Sequence, residues 1–253
     1  MGVLHKIRKA ARSFPDPMFR RALRLGVAPS HEHRAMLSSL GDVRTVVDVG
    51  ANVGQFALLT LRVLPNAHVH SFEPLPDAAD KFQKVIDGNA KVTLHRMALG
   101  AQEALMPIHV TQRSDSSSLL APALQSVFYP GTHEVRTHDV QVVPLDHVLS
   151  QAEIKQPALL KIDVQGYEQQ VLDGCVRSLH LFDWIFVEMS FIELYSGQTL
   201  APAVLHWLSE QGFELSGIYA DDASYKDGRM IQADFLFCRR SFQTSTPTLT
   251  EAK

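Results

Sequence analysis

The sequence predicts an α/β fold: a doubly wound, Rossmann-like sheet of seven strands with a helical N-terminal appendage and a β-hairpin insertion. Three observations carry that reading. Thr45 to Val49 is a β-branched run suited to a strand buried on both faces, Gly50 to Gly54 turns the chain, and Gln55 to Leu64 continues as a helix that Pro65 stops. A second apolar run, His68 to Phe72, ends at Glu73, nineteen residues after Gly54. From Val43 onward extended and helical patterns alternate. That order builds a parallel sheet whose ligand crevice lies beyond the carboxyl ends of the strands.

Residues 1–40 read as a helical cap ahead of a catalytic domain over 41–242. Leu4, Ile7, Ala11 and Phe14 recur at helical spacing, Lys6, Arg8, Lys9 and Arg12 take the other face, and Pro15 and Pro17 stop the helix. A basic helix of this kind, residues 1–14, either touches an anionic membrane surface or packs on the domain with its charges solvated. Four cations on one short helix anchor weakly, which favours the cap. Residues 18–40 read as further helix, broken at Pro29-Ser30. Asp77 is the expected N-cap of a helix reaching Ile86. Lys91 to Arg96 is a third strand, and Met97 to Gly100 a loop at its carboxyl end.

Residues 101–158 are too long for a plain connection. Leu105 to Thr111 and Thr137 to Val143 read as a hairpin arm, with Ser114 to Ser118 and Phe128-Tyr129 between them. A long insertion beside a site is more often functional than idle, so this one is expected to cover the acceptor. A solvated loop accounts for the serines nearly as well. Ala158 to Val164 is the fourth strand, and Trp184 to Val187 the fifth with Glu188 at its end. Phe213 to Tyr219 and Ala233 to Phe237 form an antiparallel pair. The Ser/Thr-rich tail over 243–253 is expected to be disordered.

At 253 residues the chain supports one full hydrophobic core. A net charge of −3 gives no electrostatic sign of nucleic-acid binding. No apolar stretch approaches the roughly 18 residues of a membrane span. Cys175 and Cys238 lie far apart and read as reduced core thiols of a cytoplasmic protein. No apolar secretory region follows the basic start, and Lys6 stands where myristoylation needs Ser or Thr.

The first turn narrows the ligand. A dinucleotide site wants G-x-G-x-x-G so that a pyrophosphate can approach bare backbone. Here the middle glycine is Asn52 and the last is Gln55. Asn tolerates left-handed φ but fills space. A ligand with a ribose and no phosphates fits better, and S-adenosylmethionine is one: Glu73 suits its ribose, Asp48 and the turn amides its methionine end.

These segments together resemble the FkbM-type methyltransferases, within the class I S-adenosylmethionine-dependent enzymes. The resemblance rests on VVDVGANVGQF (46–56), SFEP (71–74), the serine cluster before Leu119, and LLKIDVQGYE (159–168). It implies methyl transfer to the hydroxyl of a sugar or other secondary metabolite, so the expected partner is a small-molecule or glycan acceptor. Carried over by position, it implies that Asp48 orients the methionine amine directly or through water and that Gly50, Asn52 and Gly54 shape the turn. Glu73 takes the ribose and Ala98 lies near the adenine, while Phe56 and Pro74 complete the cofactor set. The family usually has Glu where this chain has Gln165. That substitution removes a carboxylate and weakens any metal reading of the turn.

For catalysis, the usual strand order places Asp163 and Glu188 together by the methyl group. Asp163 is expected to position or deprotonate the hydroxyl, with Glu188 assisting; alternatively the pair holds Mg²⁺. No residue is assigned firmly to a metal. The twelve histidines show no cluster at metal-binding spacing, and all read as solvated or core; His133 and His138 alone merit testing as a base. The competing readings are a nicotinamide-dependent reductase, a nucleic-acid base methyltransferase and a non-catalytic cofactor-binding module. Oligomeric state is open, a homodimer included.

Overall fold

The structure is a computed structural model that describes residues 16–220 and 224–243. The basic helix expected before Pro15 and the tail from residue 244 lie outside the described residues. Strand β1 (Thr45–Val49) is buried at every position and runs parallel to β2 (His68–Phe72) and to β7 (Ala158–Ile162). With β3 (Val92–His95), β8 (Trp184–Ser190), β9 (Phe213–Tyr219) and β12 (Gln232–Arg239) they form a seven-stranded sheet, ordered β3-β2-β1-β7-β8-β12-β9. All neighbours are parallel except β12, which is antiparallel to both β8 and β9. This is the doubly wound order with its switch point at β1, where a crevice opens at the strand ends.

Side chains alternate across the strands and bury two layers. Val47, Leu160, Val187 and Phe235 face helices α7 (Glu168–Asp173) and α8 (Ala201–Glu210). Val46, Leu159, Phe186 and Leu236 face α3 (Gln55–Val63) and the cap. The cap comprises α1 (Pro17–Arg24), a 3₁₀ turn (His31–His33) and α2 (Arg34–Ser39). Asp16 caps α1 by accepting from the N–H groups of Met18 and Phe19 at 2.9 and 3.3 Å. Phe19, Met36 and Leu37 are fully buried against the domain. At roughly 1.5–3 kcal/mol per such side chain, this segment is packed structure.

A second, three-stranded sheet carries the insertion. Strand β5 (Ala104–Thr111) pairs antiparallel with β6 (Glu134–Val143), the expected hairpin arm, and β6 pairs parallel with β4 (Ala98–Leu99). Residues 98–99, expected in a loop, are therefore strand: Ala98 and Leu99 align with Val142 and Val143. Three other boundaries move. β7 ends at Ile162, because the chain turns at Asp163. β8 runs through Glu188 to Ser190, because β12 pairs with it as far as Gln232. Helix α4 (Pro76–Ile86) starts before Asp77, which lies in its first turn, and the residue ahead of it is Leu75.

Candidate active site

The turn after β1 is held from β2: the N–H groups of Gly50 and Ala51 donate to the Phe72 carbonyl at 3.1 and 3.0 Å. Gly50, Asn52 and Gly54 all have left-handed φ, of 79°, 46° and 92°. Gly50 is required twice over, since a Cβ there would sit 1.9 Å from the Asp163 carbonyl oxygen. The turn and Asp163 thus meet backbone to backbone.

Beside the turn, Glu73 is 5% exposed. Its oxygens accept the N–H groups of Asn52 and Leu75, each at 2.8 Å. Burial lifts its pKa to about 7 against the opposing pull of those two N–H groups. Each oxygen keeps a second acceptor position. A cleft of about 1460 Å³ opens here, walled by Gly50, Asn52, Phe56, Glu73, Pro74, Ala98, Asp163 and Glu188. Its size exceeds the roughly 300–1,000 Å³ of a site for one small ligand, which leaves room for a cofactor and an acceptor together.

Asp48 is fully buried beneath the turn and is not on this wall. Its register partner on β7, Lys161, places an ammonium 3.0 Å from Oδ1. The same ammonium lies 3.1 Å from the Gly50 carbonyl, 3.3 Å from that of Val49 and 3.9 Å from Asp163. Burial opposes the charge on Lys161, but Asp48 and Asp163 outweigh it and raise its pKa; burial also raises that of Asp48. The methionine-amine role read for Asp48 therefore has no direct contact route. Lys161 is what the sequence reading missed, although a lysine in a strand buried on both faces requires an internal counter-charge.

Asp163 is 39% exposed at the cleft. Gln165, itself at a left-handed φ of 58°, donates from Nε2 to Asp163 at 2.8 Å and to Glu188 at 2.9 Å. Glu188 accepts a second amide proton from Gln232 at 2.8 Å. Burial, then the nearby Asp163 and Asp234, raise the Glu188 pKa well above the carboxylate range. Tyr195, buried, sets its hydroxyl 2.9 Å from Oε1 of Gln165 and 2.8 Å from the Ser116 carbonyl. The serine cluster is accordingly ordered: Ser116 and Ser118 are buried, and Ser114 reaches Asn52 at 3.4 Å. An amide N–H occupies the space between the two carboxylates and cannot ligate a cation. Among the described residues no group of three or more His, Cys, Asp or Glu stands ready for a metal, and the Mg²⁺ alternative is not supported.

The family model described as the methyltransferase FkbM domain matches residues 48–215, from the buried Asp48 through α8 into β9. The chain belongs to the FkbM methyltransferase family. As an FkbM methyltransferase it takes its methyl group from S-adenosylmethionine, and the nicotinamide reading falls. Similar proteins include the 2-O-methyltransferase NoeI of Sinorhizobium fredii, 27% identical over 85% of this chain and 88% of that one. Another is the hexuronic acid methyltransferase AglP of Haloferax volcanii, 26% identical over 62% of this chain and 60% of that one. Among solved structures, an rRNA methylase from Streptococcus thermophilus aligns with a TM-score of 0.46 at 12% identity, over 83% of this chain and 96% of that one. Among the described residues of this FkbM methyltransferase, no helix is long and apolar enough to cross a membrane. Cys175 and Cys238 are both buried.

Proposed function

We propose that this methyltransferase transfers a methyl group to a hydroxyl of a sugar or related secondary metabolite, with Asp163 as the residue that receives the hydroxyl. The observation that carries this is the position of Asp163. It is a partly exposed carboxylate packed against the glycine turn, in a cleft that runs unbroken back to Glu73. Two relatives whose names specify 2-O-methylation and a hexuronic acid support a glycan hydroxyl.

When bound, S-adenosylmethionine supplies a methyl group on a sulfonium. Glu73 accepts the ribose hydroxyls through the positions its backbone partners leave open. Gly50, Asn52 and Gly54 hold the turn, Pro74 and Ala98 line the adenine end, and Phe56 lines the far side of the turn. Asp48 acts from below, holding Lys161 against the turn carbonyls. Asp163 accepts the hydrogen bond of the acceptor hydroxyl, aims its lone pair and holds the proton that the hydroxyl gives up. Glu188 assists by position: held by the Gln232 amide, it fixes Gln165, which fixes Asp163. Positioning of this kind supplies much of the rate in a displacement that must be in line. The insertion, 101–158, covers the acceptor through the serine turn that Tyr195 ties to Gln165.

Asp163→Asn tests the assignment. Tritiated methyl transfer to a panel of neutral and uronic methyl glycosides should fall at least about 100-fold, within the usual range for a lost acid–base group. S-adenosylhomocysteine affinity should stay unchanged. Retained turnover would remove Asp163 from the mechanism.

A further inference from the structure

We infer that the wall of the cleft built by Gln125, Tyr129 and Lys226 is the acceptor subsite, and that it selects a sugar carrying an anionic group: Lys226 pairs with the anion while Gln125 hydrogen-bonds ring hydroxyls. This rests on the sugar-hydroxyl reading of the reaction and names the substrate class within it. Gln125 opens α5 (Gln125–Phe128) of the insertion, and Tyr129 follows that helix. Lys226 lies in a short hairpin of β10 (Tyr225–Lys226) and β11 (Arg229–Met230). All three residues line the same cleft as Asp163.

The placement follows from the sheet and from one anchor. Glu73 follows β2, on one side of β1; the hairpin leads into β12, which starts beside Ser190 at the end of β8, on the other side. Gln125 is fixed by its backbone, whose N–H donates to the Leu194 carbonyl at 3.1 Å. Phe128 and Tyr129 pack against the buried cluster of Leu194, Tyr195 and Ile231. Ile231 ties in the hairpin by donating its N–H to the Ser224 carbonyl at 2.7 Å. The Tyr195 hydroxyl in turn bonds Gln165, which holds Asp163. Helix and hairpin are thus mounted on the residues that position Asp163, away from the ribose end of the cleft.

The chemistry follows from what these side chains leave unspent. Gln125 is 3% exposed, yet its Oε1 meets no donor among the described residues, and a buried amide oxygen calls for a partner from outside the fold. Turning the amide about its last torsion offers a hydroxyl either the oxygen or the NH₂, and a sugar ring presents hydroxyls that both donate and accept. The cations of the wall differ in the same way. Lys161 is paired with Asp48, and Arg113 with both oxygens of Asp115. Among the described residues Lys226 meets no carboxylate; its ammonium lies 4.8 Å from the centroid of the Tyr129 ring. A ring face holds an ammonium without neutralising it, so the charge stays available to an anion. Asp163 and Glu73 repel a negative acceptor elsewhere in the cleft, which leaves Lys226 as the place for its anion.

The test is tritiated methyl transfer by the full chain to panels of neutral methyl hexosides, methyl hexuronosides and hexose phosphates. Wild type should favour an anionic panel over the neutral one by at least about tenfold in kcat/KM, and the two anionic arms show whether carboxylate or phosphate is the group read. Lys226→Met should raise KM for the best anionic acceptor about tenfold while its kcat and the neutral sugars stay within about twofold, and Lys226→Arg should restore that KM. Gln125→Leu should raise KM about tenfold for every acceptor. Calorimetry should find S-adenosylhomocysteine affinity unchanged in all three variants. No preference for an anion in wild type, an equal loss on neutral and anionic sugars in Lys226→Met, or an unmoved KM in Gln125→Leu would overturn the inference and leave the sugar-hydroxyl reading standing. A wild type that binds S-adenosylhomocysteine but methylates none of the panels would overturn both.

Discussion

Replacing Lys161 by Met removes one half of a buried ion pair whose side chains are 7% and 0% exposed. At that depth solvent screening gives no relief, and breaking such a pair by deleting one partner costs about 3–5 kcal/mol because the other charge stays buried. The carbonyls of Val49 and Gly50 lose a charged donor at the same time, so a loss of about 4 kcal/mol is a fair central value. For a chain of this size that lowers Tm by roughly 8–16 °C, a large part of a total stability of about 5–15 kcal/mol. Lys161→Met combined with Asp48→Asn leaves no uncompensated charge and should regain about 1–3 kcal/mol of that loss. Urea titration of wild type and the variants, including Asp48→Asn alone, closes the cycle. A single-variant loss under about 1 kcal/mol, or a double variant no more stable than Lys161→Met, would refute the claim that the pair carries the turn.

Gly50→Ala places a methyl 1.9 Å from the Asp163 carbonyl at a φ of 79° and should weaken S-adenosylhomocysteine by more than about tenfold. Gly41→Ala is its control: φ there is 76° with nothing within 4 Å, so it should lose only the roughly 1–2 kcal/mol of the left-handed conformation and keep full affinity. Glu73 gives a pH signature. Burial raises its pKa from 4.5 to about 7, so the carboxylate that accepts ribose hydroxyls is complete only above that pH. S-adenosylhomocysteine affinity should rise up to about tenfold from pH 6 to pH 8, and the slope should vanish in Glu73→Gln. Stability moves the other way. Between pH 4.5 and 7 folded Glu73 keeps a proton that the unfolded chain has released, so its contribution falls as pH rises through that window. Melting curves across the same range check the sign.

The strand–turn–helix at 45–63 was legible because each part carries its own local signal: a β-branched run, positive-φ residues and a proline stop. The spacing from the turn also singled out Glu73, which the fold then sets against the Asn52 N–H in a 2.8 Å hydrogen bond. What was not legible depends on pairing between distant segments. Ala98-Leu99 is a strand only because β6 lies beside it, and two residues leave no periodicity to read. Glu188 lies inside a strand because its partner starts 44 residues later, at Gln232. Gln165 stood out only as a departure from a familiar element, and its bonds to Glu188, 23 residues on, and Tyr195, 30 residues on, have no sequence signature.

The central claim is that the cleft between Glu73 and Asp163 accepts a phosphate-free sulfonium nucleoside. Calorimetric titration of the full chain with S-adenosylmethionine, set against NADH, measures it directly. The structure calls for one S-adenosylmethionine bound per chain and no heat from NADH. Saturable binding of NADH, or silence with S-adenosylmethionine, would contradict it.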